Sequence, residues 1–141
     1  HYYKSTKELI QLLVRTAGKG ANLLLNVGPQ PDGTLPEAAL TRLAEMGQWL
    51  DRYGESIYAT VAGGYRDGDR IITTRNGNTL YVHLLDAGID RVSMPLSQKV
   101  KRVEVLGEGT RIDYKYKKGV LDFGVEIPDD CIDYVVKVTL K

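Results

Sequence analysis

Residues 18–33 read GKGANLLLNVGPQPDG, and the run at their centre, residues 21–27, decides how the first part of the chain is built. It is short, almost wholly apolar and bounded by glycine and proline, the pattern of a strand buried on both faces in a sheet covered by helices. Working outward toward the N-terminus, Ser5 and Glu8 have the spacing of a capping box, and Leu9, Ile10, Leu12, Leu13, Val14 and Ala17 follow. That spacing predicts a helix over 6–17, with Gly18 and Gly20 supplying a left-handed C-cap. In the other direction, two prolines and Asp32-Gly33 force turns, and a second capping box, Thr34 with Glu37, opens another helix with Pro36 in its first turn. Leu40, Leu43, Gly47 and Leu50 form one stripe, Met46, Trp49 and Tyr53 lie beside it, and Gly54 stops it. The first helix, its glycine stop and the strand together look like one αβ step of an α/β fold.

After Tyr58 the pattern changes to period two. Gly63-Gly64 and Asp67-Gly68-Asp69 have the composition of a tight connection, and the domain border is placed near Ala62. Short β-rich runs follow at residues 70–74, 79–84, 100–106, 110–116, 120–125 and 134–140, separated by Asn76-Gly77, Gly107-Glu108-Gly109, Lys118-Gly119 and Pro128-Asp129. Such runs predict an antiparallel sandwich of roughly six to eight strands. In the last of them Tyr134, Val136, Val138 and Leu140 should face a core while Val135, Lys137, Thr139 and Lys141 face water.

A chain of 141 residues can bury one ordinary core or two small ones, and 43% hydrophobic with 26% charged residues is a globular balance. Nineteen basic against eighteen acidic residues leave a net charge of +1, so no global field draws in nucleic acid, an anionic membrane or a polyanionic substrate. The single cysteine, Cys131, forms no internal disulfide, and no apolar run approaches the roughly 20 residues of a membrane span. Because the first residue is His1, the lack of a signal peptide says nothing about compartment.

Candidates for chemistry mostly have structural explanations. Gly18-Lys19-Gly20 follows a helix and precedes a strand, the reverse of a phosphate loop. His1 and His83 have no second ligand at metal spacing. Asp32, Glu37, Glu45, Asp51 and Glu55 offer carboxylates, but Glu37, Glu45 and Asp51 read as helix-cap or solvent-face residues. Trp49 reads as core, and Lys115, Lys117 and Lys118 as a solvated hairpin tip lacking a stacking platform.

The string Gly20-Ala21-Asn22-Leu23-Leu24-Leu25-Asn26-Val27-Gly28-Pro29, closed by Pro31-Asp32-Gly33, resembles a signature of the α-L-fucosidase family of retaining glycoside hydrolases. Gly47-Gln48-Trp49-Leu50 and Gly54-Glu55-Ser56-Ile57-Tyr58 are similar to further elements of that family at matching distance. The resemblance covers about the first sixty residues strongly. It implies an α/β plus all-β chain: residues 1–62 as the last αβ units of a (β/α)8-like barrel, residues 63–141 as an antiparallel β-sandwich. It further implies hydrolysis of terminal α-L-fucosyl linkages of glycans with retention, without metal or organic cofactor, in a secreted, periplasmic or lysosomal enzyme.

The family's catalytic carboxyls lie upstream of this segment, so the resemblance carries over no catalytic residue. Asn26, at the end of the strand, would stand behind the residues that touch the sugar. A full barrel takes roughly 250 residues. The two helices should therefore expose leucine faces, to be covered by the missing part of the barrel, supplied as another chain, or by self-association. For the sandwich two roles stay open: a structural buttress, or a carbohydrate-binding module using Tyr65, Tyr81, Tyr114 and Tyr116 as an aromatic platform.

Overall fold

The computed structural model describes residues 4–20 and 37–141. Two helices, α1 (Thr6–Gly18) and α2 (Glu37–Tyr53), are followed by a 3-10 turn (Gly54–Ser56) and eight strands. The strands are β1 (Val61–Asp67), β2 (Ile71–Asn76), β3 (Thr79–Leu84), β4 (Arg91–Pro95), β5 (Val100–Val105), β6 (Tyr114–Lys117), β7 (Val120–Gly124) and β8 (Tyr134–Leu140). They form a five-stranded sheet in the order β1-β2-β3-β8-β5 and a three-stranded sheet in the order β4-β7-β6, antiparallel throughout. No helix among the described residues is long and apolar enough to cross a membrane.

The capping box forms as the spacing predicts: Ser5 Oγ accepts from the Glu8 amide at 3.1 Å and Glu8 Oε1 accepts from the Ser5 amide at 3.2 Å. Gly18 has a different job from the expected one. It is the last residue of α1, and a Cβ there would collide with Cγ2 of Ile72 on β2. Glycine is needed because helix and sheet touch at that point. Of the two glycines, it is Gly20 that takes the left-handed conformation, with φ 75°.

Leu80, Val82 and Leu84 of β3 and Val136, Val138 and Leu140 of β8 pack against Val92, Met94, Leu121 and Phe123 of the smaller sheet, making the sandwich core. The opposite face of the large sheet is covered in part: in the last strand Val135, read as facing water, is buried, whereas Lys137 and Thr139 are partly exposed and Lys141 is exposed. Ile72 joins Ile10, Val14, Met46 and Trp49 of the helices, and Val135 joins Tyr81 and Leu106 under Tyr53. The molecule is thus layered helix, five-stranded sheet, three-stranded sheet. Trp49 is core, as its position in the pattern indicates.

The expected boundary stretch around Gly63-Gly64 pairs as strand β1, with a register break between Ala62 and Arg66. Thr73 of β2 fills that break, its hydroxyl accepting from the Tyr65 amide at 3.2 Å and donating to the Tyr65 carbonyl at 2.5 Å. No Cβ fits at Gly63 beside Thr73. This is a β-bulge with a side chain built into it. The apolar stripe assigned to α2 also divides. Met46 and Trp49 are buried, whereas Leu40 and Leu43 are exposed.

Replacing Gly18 by valine should destabilise the chain by about 1–3 kcal/mol through overpacking against Ile72. The exposed neighbour change Lys19→Ala should stay within about 0.5 kcal/mol. Urea denaturation of both variants checks the contrast, and equal midpoints would show that helix and sheet do not meet at Gly18.

Candidate functional site

Where α2 ends on the five-stranded sheet, several polar side chains are linked by hydrogen bonds. Here the 3-10 turn carries residues 54–58 back over the sheet, with the Ile57 and Tyr58 amides donating to the Gly54 carbonyl at 2.9 and 2.8 Å. The Tyr58 ring lies over Gly54, where a Cβ would stand 2.6 Å from Cε2. Glu55 points toward the sheet and receives two hydrogen bonds, from the Tyr81 hydroxyl at 2.8 Å and from Lys137 Nζ at 3.0 Å. Partial burial works against its charge, but the hydrogen bonds from Lys137 and Tyr81 and the lysine's charge hold Glu55 below its ordinary carboxylate value. The same contact, after burial, raises the Tyr81 phenol above its usual range. Glu55 is a clamp between helix layer and sheet.

Beneath the turn lies a buried chain. The Thr74 hydroxyl donates to the Ser56 carbonyl at 2.6 Å and meets His83 Nε2 at 2.8 Å, and His83 Nδ1 meets Asp133 Oδ2 at 2.6 Å. Ser56, Thr74 and His83 are 0% exposed and Asp133 3%, so no substrate reaches this chain. Pairing of β2 with β3 brings Thr74 and His83 to one face, and the loop before β8 supplies Asp133.

Among the described residues, the carboxylates read as possible acids and bases do not converge. Glu37, Glu45 and Asp51 are exposed on α2, with Glu45 paired to Arg42 at 3.5 Å. Asn26, Asp32 and His1 lie outside the described residues. The amides of Lys19 and Gly20 donate back to Thr16 and Ala17, so the Gly-Lys-Gly turn offers them to no phosphate. Lys115, Lys117 and Lys118 are exposed at the hairpin tip. Cys131 is half-buried, and burial followed by the Asp133 charge pushes its thiol up, away from nucleophilic character. Among the described residues no three His, Cys, Asp or Glu side chains gather to hold a metal ion.

None of the four tyrosines forms a platform. Tyr81 is buried at 4% exposure, and Tyr65, Tyr114 and Tyr116 pack on the sandwich core. Tyr114 and Tyr116 donate their hydroxyls to the carbonyls of Val100 and Leu96 at 3.4 and 2.6 Å. An open groove of about 540 Å³ runs along Lys101, Arg102, Arg111, Asp113 and Tyr114, polar and without an exposed ring.

The α-L-fucosidase family model matches residues 1–55, the segment that ends at the Glu55 clamp. Tissue α-L-fucosidase of Bos taurus is 30% identical over 140 residues, 94% of this chain and 30% of its own length. The chain belongs to the α-L-fucosidase family. Plasma α-L-fucosidase of Rattus norvegicus shares 47% identity over 58 residues, 41% of this α-L-fucosidase chain and 13% of its own. The solved α-L-fucosidase isoenzyme 1 from Paenibacillus thiaminolyticus superposes with a TM-score of 0.85 at 32% identity, over 99% of this chain and 35% of that one. The α-L-fucosidase chain described here therefore spans about a third or less of the length of these relatives.

Sequence reasoning missed both the clamp and the buried chain. A signal was present in β3, where Tyr81 and His83 alternate with Leu80, Val82 and Leu84. A tyrosine and a histidine on the second face of an otherwise apolar strand call for a cover over that face.

The sign of the Glu55 shift fixes a pH dependence. A carboxyl held low in the fold stabilises above its unfolded value, and that stabilisation is lost as pH falls through the folded one. Acidification should therefore lower the urea midpoint of the native chain more than that of Glu55→Gln. Parallel losses would remove the clamp from the account. Tyr81→Phe should cost about 1 kcal/mol at neutral pH.

Proposed function

We propose that this chain is the C-terminal structural part of an enzyme that hydrolyses terminal α-L-fucosyl linkages of glycans with retention of configuration. Residues 1–62 would complete its (β/α)8-like barrel, and residues 63–141 would buttress that barrel as a sandwich. The observation that carries the reading is the joint at residues 54–58. The family match ends at residue 55, and there Glu55 ties the helix layer to Tyr81 and Lys137 of the sheet. A chain built this way transmits the position of its helices to the sandwich through hydrogen bonds as well as apolar packing.

Exposed apolar residues of α2, of the turn after it and of the start of β1 support the same reading. Leu40, Leu43, Tyr58 and Val61 are 51%, 39%, 61% and 63% exposed, a group of apolar side chains suited to cover by the remainder of a barrel. That remainder, in this proposal, brings the two carboxyls of a retaining hydrolase: an aspartate that attacks the anomeric carbon and an acid that protonates the leaving oxygen and then activates water. Glu55, committed to Tyr81 and Lys137, supplies neither. Asn26 keeps its proposed place behind the sugar-contacting residues. For the sandwich, a buttress is favoured over a carbohydrate-binding module because the candidate tyrosines are packed inward.

The test is hydrolysis of an aryl α-L-fucoside by the purified chain, with intact mass measured on the same sample. No turnover is expected when the 141-residue mass stands alone. Addition of a separately expressed N-terminal part of such an enzyme should restore turnover. Activity with the 141-residue mass alone would overturn the assignment of the catalytic carboxyls to the missing part. Titration calorimetry with fucosylated glycans should give no heat for the chain alone.

A further inference from the structure

We propose that Thr74, His83 and Asp133 form a one-proton switch that holds the 3-10 turn on the sheet at lower pH and releases it at higher pH. Thr74 has one hydroxyl hydrogen and two possible acceptors for it, the Ser56 carbonyl at 2.6 Å and His83 Nε2 at 2.8 Å. A carbonyl only accepts, so while the hydrogen lies toward Ser56, Nε2 must carry its own hydrogen and donate it to the Thr74 oxygen. Nδ1 then faces Asp133 Oδ2 at 2.6 Å, and a second proton has to lie between those two atoms. Without it, the lone pairs of a ring nitrogen and a carboxylate would confront each other in a wholly buried site.

Loss of that proton changes the pattern along the whole chain. The one hydrogen left on the ring moves to Nδ1, where the bare carboxylate accepts it. Nε2 becomes a lone pair, and the Thr74 hydroxyl is the donor already in contact with it. Once Thr74 turns toward the ring, the Ser56 carbonyl loses its bond and the turn loses a buried attachment to β2. The switch follows from one hydroxyl hydrogen shared between two acceptors.

The surroundings set the direction. Asp133 Oδ1 has no hydrogen-bond partner among the described residues, so a bare carboxylate here is poorly compensated. Burial pushes the Asp133 carboxyl above its ordinary range against the opposing pull of His83. A group raised in the fold stabilises fully below its unfolded value, about 3.9 for aspartate, and the stabilisation is lost as pH rises through the raised value. Other ionisable groups nearby are Cys131 on the same loop, which also responds to Asp130 and to Lys7 of α1, and Glu55 on the turn, held by Tyr81 and Lys137. Across the sheet His83 faces Ile72 on β2 and Val135 on β8, neither of which titrates.

Hydrogen exchange of the Ile57 and Tyr58 amides in the full chain reads the switch, because both donate to Gly54 within the turn. Their protection factors should fall about tenfold between a pH below and a pH above the raised Asp133 value, the loss of one buried hydrogen bond. In Asp133→Asn the amide N–H donates to Nδ1 and fixes the hydrogen on Nε2, so protection should be equal at both pH values. An unchanged pH dependence in that variant, or none in the native chain, overturns the proposal. Should the variant fail to fold, the ¹⁵N shift of His83 Nε2 in the unaltered chain decides. It should change from protonated to lone-pair character across the same range, and a nitrogen that keeps its hydrogen throughout rules the switch out.

Discussion

Successive residues of β2 point to opposite sides of the five-stranded sheet, Ile71 into the sandwich and Ile72 into the helix layer, and neither direction leads to water. On a sheet covered on both faces, each polar side chain left unpaired is costly. That constraint explains why Thr73 bonds back to the β1 backbone and why Thr74 and His83 are linked through to Ser56 and Asp133. It also accounts for Gly18, where the last turn of α1 comes too close to the sheet for any side chain.

The joint after α2 combines two kinds of attachment with different sensitivities. Glu55 sits at the margin, where water screens its bonds to Lys137 and Tyr81, and such pairs are individually weak. The chain from Ser56 to Asp133 is fully enclosed, where each hydrogen bond is strong and each missing one costly. Apolar packing of Trp49 and Tyr53, with ring centroids 5.4 Å apart, fills the space between the helix and the sheet. Removal of the outer clamp and removal of the inner chain are therefore different perturbations of one place.

Local signals in the sequence were legible where the physics is local. The Ser5 and Glu8 box marks the start of α1, and the alternation in β3 and β8 gives strands whose ends coincide with the observed ones. β1 was read as a connection because Gly63-Gly64 signals a turn until Thr73, ten residues later, is seen to occupy the irregularity. β4 alternates between exposed and buried along Arg91-Val92-Ser93-Met94-Pro95, but it is a short edge strand ending in proline, and its pattern is weak without its partner β7. The run at residues 110–116 reads as one strand, whereas only Tyr114 onward pairs in the small sheet and Arg111 bridges to Glu104 of the large one. On the second face of β8, Val135 was misread because the sequence does not say that Tyr53 and Leu106 lie over it. Thr74, His83 and Asp133 are scattered along the chain and meet only through strand pairing, so no spacing rule could join them.

The bulge in β1 has a bearing on how this molecule behaves in a crowd. β1 is an outer strand of the large sheet, and a regular outer strand is a template on which a strand from another molecule can add, the first step toward ordered aggregates. Here the register breaks between Ala62 and Arg66, so an incoming strand would find the rhythm of donors and acceptors interrupted partway along. Thr73, anchored from inside by both backbone groups of Tyr65, keeps that interruption from being ironed out. The irregularity that hid β1 from a reader of the sequence also hides it from neighbouring chains.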